Sequence, residues 1–145
     1  MKRIIPVLLF WVLLTLIPAN INGQCKIFAK RVCKVELGSF MHDGNYHAAI
    51  LEEGEEAELY KTFYAGQDYR LAICGDDNLY KIEFTVMDTE RNELYNNSDN
   101  DFNATWDFSP VNSEQLLISV KVLPSENNGA DNSGCVAIMF GFTEK

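Results

Sequence analysis

From Tyr46 to Val122 the chain is a series of short apolar–polar alternations separated by turn residues. Tyr46 to Leu51 ends in Glu52-Glu53-Gly54-Glu55. Over Glu56 to Tyr64, Ala57, Leu59 and Phe63 share one face, and Tyr60, Thr62 and Tyr64 the other. Ala65-Gly66-Gln67 reads as a tight turn, after which Tyr69, Leu71 and Ile73 alternate up to Gly75. Asp76-Asp77-Asn78 breaks the chain before its cleanest period-two run, Ile82, Phe84 and Val86. Asp88 to Asn92 turns into Glu93-Leu94-Tyr95, residues 96–103 are a polar loop, and Trp106 alternates with Phe108. Leu116, Ile118, Val120 and Val122 then alternate against Leu117, Ser119, Lys121 and Leu123. After a polar loop, Pro124 to Gly134, comes the run Cys135 to Phe142. It has Val136, Ile138, Phe140 and Phe142 on one face and Cys135, Ala137, Met139 and Gly141 on the other, so this strand is expected to be covered on both sides. Short alternating runs with a turn signal about every 8–15 residues predict an all-β fold, an antiparallel β-sandwich.

The N-terminus has a different pattern. Lys2 and Arg3 precede an apolar run from Ile4 to Ile17, followed by the small and turn-forming residues Pro18 to Gly23. That is the layout of a secretory signal peptide. The run falls short of the roughly 20 residues a membrane span needs. Residues 1–23 are therefore read as a signal peptide cleaved after Gly23, with Ala19 as the alternative site, and no membrane span remains afterwards. The expected location is secreted or periplasmic. Residues 24–45 form a Cys-containing N-terminal segment and residues 46–145 the sandwich. Within Gln24 to Leu37, Phe28, Val32 and Val35 recur at steps of four and three, which predicts a short helix with those residues as its apolar face.

Charge narrows the partners. The whole chain of 145 residues has 12 Lys+Arg, 21 Asp+Glu and a formal charge of −9. Removing residues 1–23 takes away Lys2 and Arg3 and no acid, leaving 10 Lys+Arg against 21 Asp+Glu, a net charge of −11. An acidic domain has no basic face for phosphates, which argues against nucleic acid and against an anionic membrane surface.

Four cysteines, Cys25, Cys33, Cys74 and Cys135, stand out in an exported chain, where disulfides persist. If residues 25–33 are helical, Cys25 and Cys33 lie about 12 Å apart, too far for one bridge, which needs Cα atoms within about 7 Å. Two bridges would then staple the helix to the sandwich. If the segment is extended, Cys25–Cys33 with Cys74–Cys135 is open. Zinc binding is disfavoured, because no C-x-x-C pair exists.

Other candidate chemistry is sparse. His42 and His47 are the only histidines, and their spacing of five places them on different faces of either regular element, as surface-loop residues. No G-x-S-x-G elbow accompanies them. Glu52, Glu53, Glu55, Glu56 and Glu58 read as a solvated charge run, since glycosidase carboxylates usually come from separate strands. Asp99-Asn100-Asp101-Phe102-Asn103 alternates oxygen ligands as a calcium loop begins, but Ala104 and Pro110 stand where an EF-hand needs Gly and Glu. No catalytic residue, metal site or cofactor is expected. Among the aromatics, Tyr60, Tyr64 and Trp106 are the candidates for an exposed ligand-binding row, able to stack on sugars or anchor a protein.

The block Leu59-Tyr60-Lys61-Thr62-Phe63-Tyr64-Ala65-Gly66-Gln67-Asp68-Tyr69-Arg70-Leu71 resembles the strand, turn and strand of bacterial pre-peptidase C-terminal domains. Ile82 to Asp88 with Leu94, Trp106 to Phe108, and Leu116 to Val122 resemble that family's later strands. With its terminal Gly134-Cys135-Val136-Ala137 strand, the chain is similar to small secreted bacterial proteins of unknown function. The resemblance covers roughly residues 46–142 and implies a jelly-roll-like sandwich without chemistry of its own. The reading is a secreted, non-enzymatic accessory or binding module for an extracellular or envelope protein or glycan. The rival is a small secreted hydrolase or an inhibitor of one, such as a protease inhibitor, with the Pro124–Gly134 loop as its contact.

Overall fold

The computed structural model describes residues 22–126 and 132–144. The signal-peptide reading of residues 1–23 falls, but for its last two residues, outside the described residues.

The chain opens with helix α1 (Asn22–Arg31) and a 3-10 helix, Cys33–Leu37. Nine strands follow: β1 (Met41–His42), β2 (His47–Glu52), β3 (Glu56–Phe63), β4 (Gln67–Gly75), β5 (Lys81–Met87), β6 (Glu93–Asn96), β7 (Thr105–Phe108), β8 (Glu114–Leu123) and β9 (Ser133–Glu144). A short 3-10 helix, Asn97–Asn100, links β6 to β7. The first sheet runs β1-β9-β4-β7, with β2 also paired to β9, and the second runs β3-β8-β5-β6. All the pairings are antiparallel, so this is a jelly-roll-like β-sandwich with a short N-terminal helix. Met41–His42 pairs with Phe142 and Gly141, so the sheets begin within the segment that the sequence sets apart as 24–45.

The period-two pattern explains the core. Phe63, Leu71, Phe84, Val86, Leu116, Ile118, Val120, Val122 and Phe140 all point between the sheets and are at most 1% exposed. Burying an aliphatic or aromatic side chain of this size is worth about 1.5–3 kcal/mol, which is why the alternation dictates the sheet faces. The turn between β3 and β4 depends on Gly66 at φ 87, a left-handed conformation that glycine adopts without strain. Tyr69 braces that turn: its hydroxyl accepts from the Tyr64 N–H at 3.0 Å and donates to Gln67 Oε1 at 2.7 Å.

The outer face of the first sheet is covered too, as the two-sided pattern of β9 requires. Ala29, Cys33 and Leu37 pack on Ala72, Ala137 and Met139 in a second buried cluster. The small residues on β4 and β9 let the helical layer come close. A Cβ on Gly141 would stand 2.7 Å from Phe40 Cβ and 3.3 Å from Leu37 Cδ2. The helix is present, but its buried face is not the predicted one. Val32 and Val35 are 48% and 71% exposed and Phe28 only half-buried, whereas Cys25, Ala29, Cys33 and Leu37 are buried. The cause is covalent: Cys25 bonds Cys135 and Cys33 bonds Cys74, with Cα–Cα distances of 5.2 and 5.6 Å. Two bridges to the sheet turn the cysteine face inward, and the valines face solvent as a result.

Candidate functional site

A cavity of about 480 Å³ opens at one end of the sandwich, where the β4–β5 turn, residues 97–104 and the Cys33–Leu37 helix meet. Its floor includes Cys74, Gly75 and Ala104. Tyr80, 53% exposed, Val32, Asp77 and Glu36 stand around it. Lys81 lies among the rings, its ammonium 5.2 Å from the Tyr80 centroid and 4.7 Å from that of Phe102. Cation–ring contacts of this kind hold a long side chain in place.

Each wall of the cleft is braced. The Asp76 N–H donates to the Cys135 carbonyl at 2.9 Å, and the Asp76 carboxylate accepts from the Cys135 N–H at 2.6 Å. Asn78 Nδ2 donates to the Ser133 carbonyl at 2.7 Å. The β4–β5 turn is thereby locked to the start of β9, which the Cys25–Cys135 bridge ties to α1. On the other wall, Asn97 is 1% exposed. Its Oδ1 accepts from the Phe84 N–H at 2.8 Å, and its Nδ2 donates to the carbonyls of Ile82 and Asn103 at 3.0 and 3.3 Å. Asp101 and Phe102 follow in the left-handed region, at φ 54 and 55. For an aromatic residue that conformation costs energy, and it persists only where the surroundings impose it. Here the Phe102 N–H donates to the Asn97 carbonyl at 3.0 Å. The result is a rigid cleft with an aromatic rim and charges of both signs. Such a site binds with little ordering cost.

The residues singled out from the sequence are scattered. Tyr60 (52% exposed) stands on the outer face of the second sheet, and Tyr64 (60% exposed) follows β3 at the end opposite the cleft. Trp106 packs against the core between Phe108 and Tyr95, with ring centroids 4.4 and 5.0 Å away. No row of three forms. All four cysteines are in disulfides. The histidines are not surface-loop residues. The His42 side chain is 8% exposed, 3.7 Å from Asp43, and Asp43 pairs with Lys61 at 2.7 Å. Burial pushes the Asp43 carboxyl up, but hydrogen bonds from Lys61 and the Asn45 backbone and the Lys61 charge outweigh it and hold it below the usual range. Burial pushes His47 below its ordinary value; the Asp43 charge opposes this and Lys61 reinforces it.

The glutamate run is partnered rather than merely solvated. Glu53 accepts from Ser125 N and Oγ and from Asn132 Nδ2, which clamps the base of the β8–β9 loop. Glu56 accepts from Ser119 Oγ, and Glu58 pairs with Arg91 at 3.0 Å. Residues 127–131 of the predicted contact loop lie outside the described residues. Among the described residues no group of three or more His, Cys, Asp and Glu is placed to hold a metal ion. No helix among them is long and apolar enough to cross a membrane. Tyr80 is not among the aromatics singled out from the sequence. The available signal was Phe102, a lone aromatic inside an Asn/Asp-rich loop.

No family model matches the chain, and no curated protein matches it in sequence. In three dimensions it is similar to the crystal structure of Aeromonas hydrophila PliG, a periplasmic lysozyme inhibitor of g-type lysozyme. The TM-score is 0.52 at 15% sequence identity, over 72% of this chain and 89% of that one, so the two share a fold.

Proposed function

We propose that the protein is an exported, non-enzymatic binding module that docks on another protein outside the cytoplasm, and that its partner is a lysozyme-like wall hydrolase. The observation that carries this reading is the braced cleft: a cavity of about 480 Å³ with exposed Tyr80 at its rim and Phe102 held in a strained conformation beside it. Aromatic anchors on rigid loops are the groups that carry most of the energy at protein interfaces. The shared fold with a periplasmic lysozyme inhibitor supports the choice of partner class. Two disulfides support an oxidising compartment. The resemblance to pre-peptidase C-terminal domains supports a role without chemistry of its own. A charge of −11 on the exported chain favours encounter with a basic partner.

The test is a wall-lysis assay with g-type, c-type and i-type lysozymes, together with titration calorimetry. The oxidised protein inhibits at least one class near one-to-one stoichiometry. Tyr80→Ala weakens that complex about tenfold or more. Absence of binding to all three classes would refute the partner assignment.

A further inference from the structure

The two long edges of the sandwich are closed in different ways. Along the β6/β7 edge four rings form a row: Phe108 on Trp106, Trp106 on Tyr95, and Tyr95 against Phe84, the last at 5.5 Å. Along the β2/β3 edge two inward positions carry only a methyl group, Ala49 and Ala57, beside the larger His47, Leu51 and Leu59. Between those strands lies a second cavity, of about 350 Å³, which reaches the core residues Leu51, Val136 and Ile138. These three keep 8%, 4% and 8% exposure, whereas Phe84, Ile118 and Val122, outside the cavity, are at 0%. Solvent therefore reaches the core along this seam. Protein interiors seldom leave such space unfilled, and the volume lies within the range of ligand sites, about 300–1,000 Å³.

The charges around this slot select among ligands. On its β3 side the Glu58 carboxylate is engaged by both terminal nitrogens of Arg91, at 3.0 and 3.2 Å. The nearby Asp43 carboxylate is matched by Lys61. On the β2 side Tyr46 lines the slot. The ammonium groups of Lys26 and Lys30 stand 5.8 and 5.3 Å from its ring centroid. Neither lysine makes an ion pair among the described residues. Of the acids along this edge, Glu58 and Asp43 are paired with cations, and Glu52, Glu55 and Glu56 stand at the end where β2 turns into β3. At the other end two cations from the basic stretch of an acidic chain remain beside Tyr46.

We propose that the slot binds an anionic amphiphile with a single alkyl chain, the chain lying between β2 and β3 and the acidic head group meeting Lys26 and Lys30. A small apolar slot takes a linear chain more readily than a ring system, and the unmatched ammonium groups favour a carboxylate or phosphate head. This site lies apart from the cleft, and the proposal stands whatever the protein partner is.

The test is calorimetric titration of the oxidised protein with dodecanoate below its micelle concentration. Dodecyl phosphate, dodecyltrimethylammonium and dodecyl maltoside serve as parallel arms. Dodecanoate and dodecyl phosphate bind one-to-one and more tightly than the other two; the ratio of the first two affinities identifies a fatty-acid or a phospholipid-derived head. Ala57→Leu fills the slot, leaves the melting temperature unchanged or raised, and weakens dodecanoate about tenfold or more. Ala49→Leu is the second filling variant, used the same way if Ala57→Leu does not fold. The Lys26→Gln/Lys30→Gln pair weakens dodecanoate by about fivefold and leaves dodecyl maltoside unchanged. No saturable dodecanoate binding, equal affinity for dodecyltrimethylammonium, or binding that survives the filling variants overturns the proposal.

Discussion

Removing either disulfide tests how the helical layer is held to the sandwich. Consider first Cys33→Ala/Cys74→Ala. The bridge closes a separation of 41 residues inside the ring of 110 that Cys25–Cys135 already closes, and chain-entropy reasoning assigns its loss about 3.5 kcal/mol at 25 °C. The other bridge spans 110 residues. While Cys33–Cys74 is intact, however, the unfolded chain bypasses the 41 residues that it closes, so the effective loop of Cys25–Cys135 is 69. The same reasoning then gives about 4.4 kcal/mol for Cys25→Ala/Cys135→Ala. Alanine is the right replacement, because Cys25 and Cys33 are at most 1% exposed and a serine hydroxyl there would be buried without its own partner. A domain of this size has about 5–15 kcal/mol of stability in total, so each pair removes a large share of it. The assay is two-state urea unfolding at 25 °C, followed by tryptophan fluorescence and far-ultraviolet circular dichroism. Both double variants fold with lowered midpoints, and the Cys25/Cys135 variant, left with a 41-residue rather than a 110-residue loop, is the less stable by about 0.9 kcal/mol. A loss below about 1 kcal/mol in either pair would refute the view that these bridges restrict the unfolded chain.

Two further outcomes follow from buried polar groups. Asn97→Ala leaves the Phe84 N–H without its acceptor and removes both donors that hold Ile82 and Asn103, which costs about 1–3 kcal/mol in thermal or urea unfolding. An unchanged midpoint would show that water replaces the amide. Stability also falls in acid, in two steps. The folded-state value of His47 lies below its ordinary 6.5, so the unfolded chain binds the extra proton, and stability present above about pH 6.5 declines as pH drops below it. Asp43 likewise contributes above its ordinary 3.8 and loses that contribution as pH falls further. Melting curves from pH 7.5 to 3 record both steps, and His47→Gln abolishes the upper one; a midpoint that rises between pH 7 and 5.5 contradicts the assignment.

What the sequence by itself determined is the layer structure. Alternation with period two specifies a sheet face at once, because a one-residue slip would move every apolar side chain to the solvent side. That is why Leu116, Ile118, Val120 and Val122 of β8, and both faces of β9, are legible in the sequence. The small residues Ala137 and Gly141 on the second face of β9 already implied a covering layer. Tertiary structure decided the rest. Spacing established that a helical Cys25 and Cys33 must bridge elsewhere, but which strand each one meets depends on where β4 and β9 lie side by side. That pairing, in turn, selected the buried face of α1 over the more apolar stripe of Phe28, Val32 and Val35. Trp106 alternates like a surface-ready aromatic, yet the edge of the sandwich recruited it to seal β6 against β7. The cleft around Tyr80 and Phe102 and the slot between β2 and β3 are assembled from segments far apart in the chain. Local pattern encodes which face of an element is apolar; it carries no information about which loops converge at one end of the sandwich, and that convergence is where the two proposed sites arise.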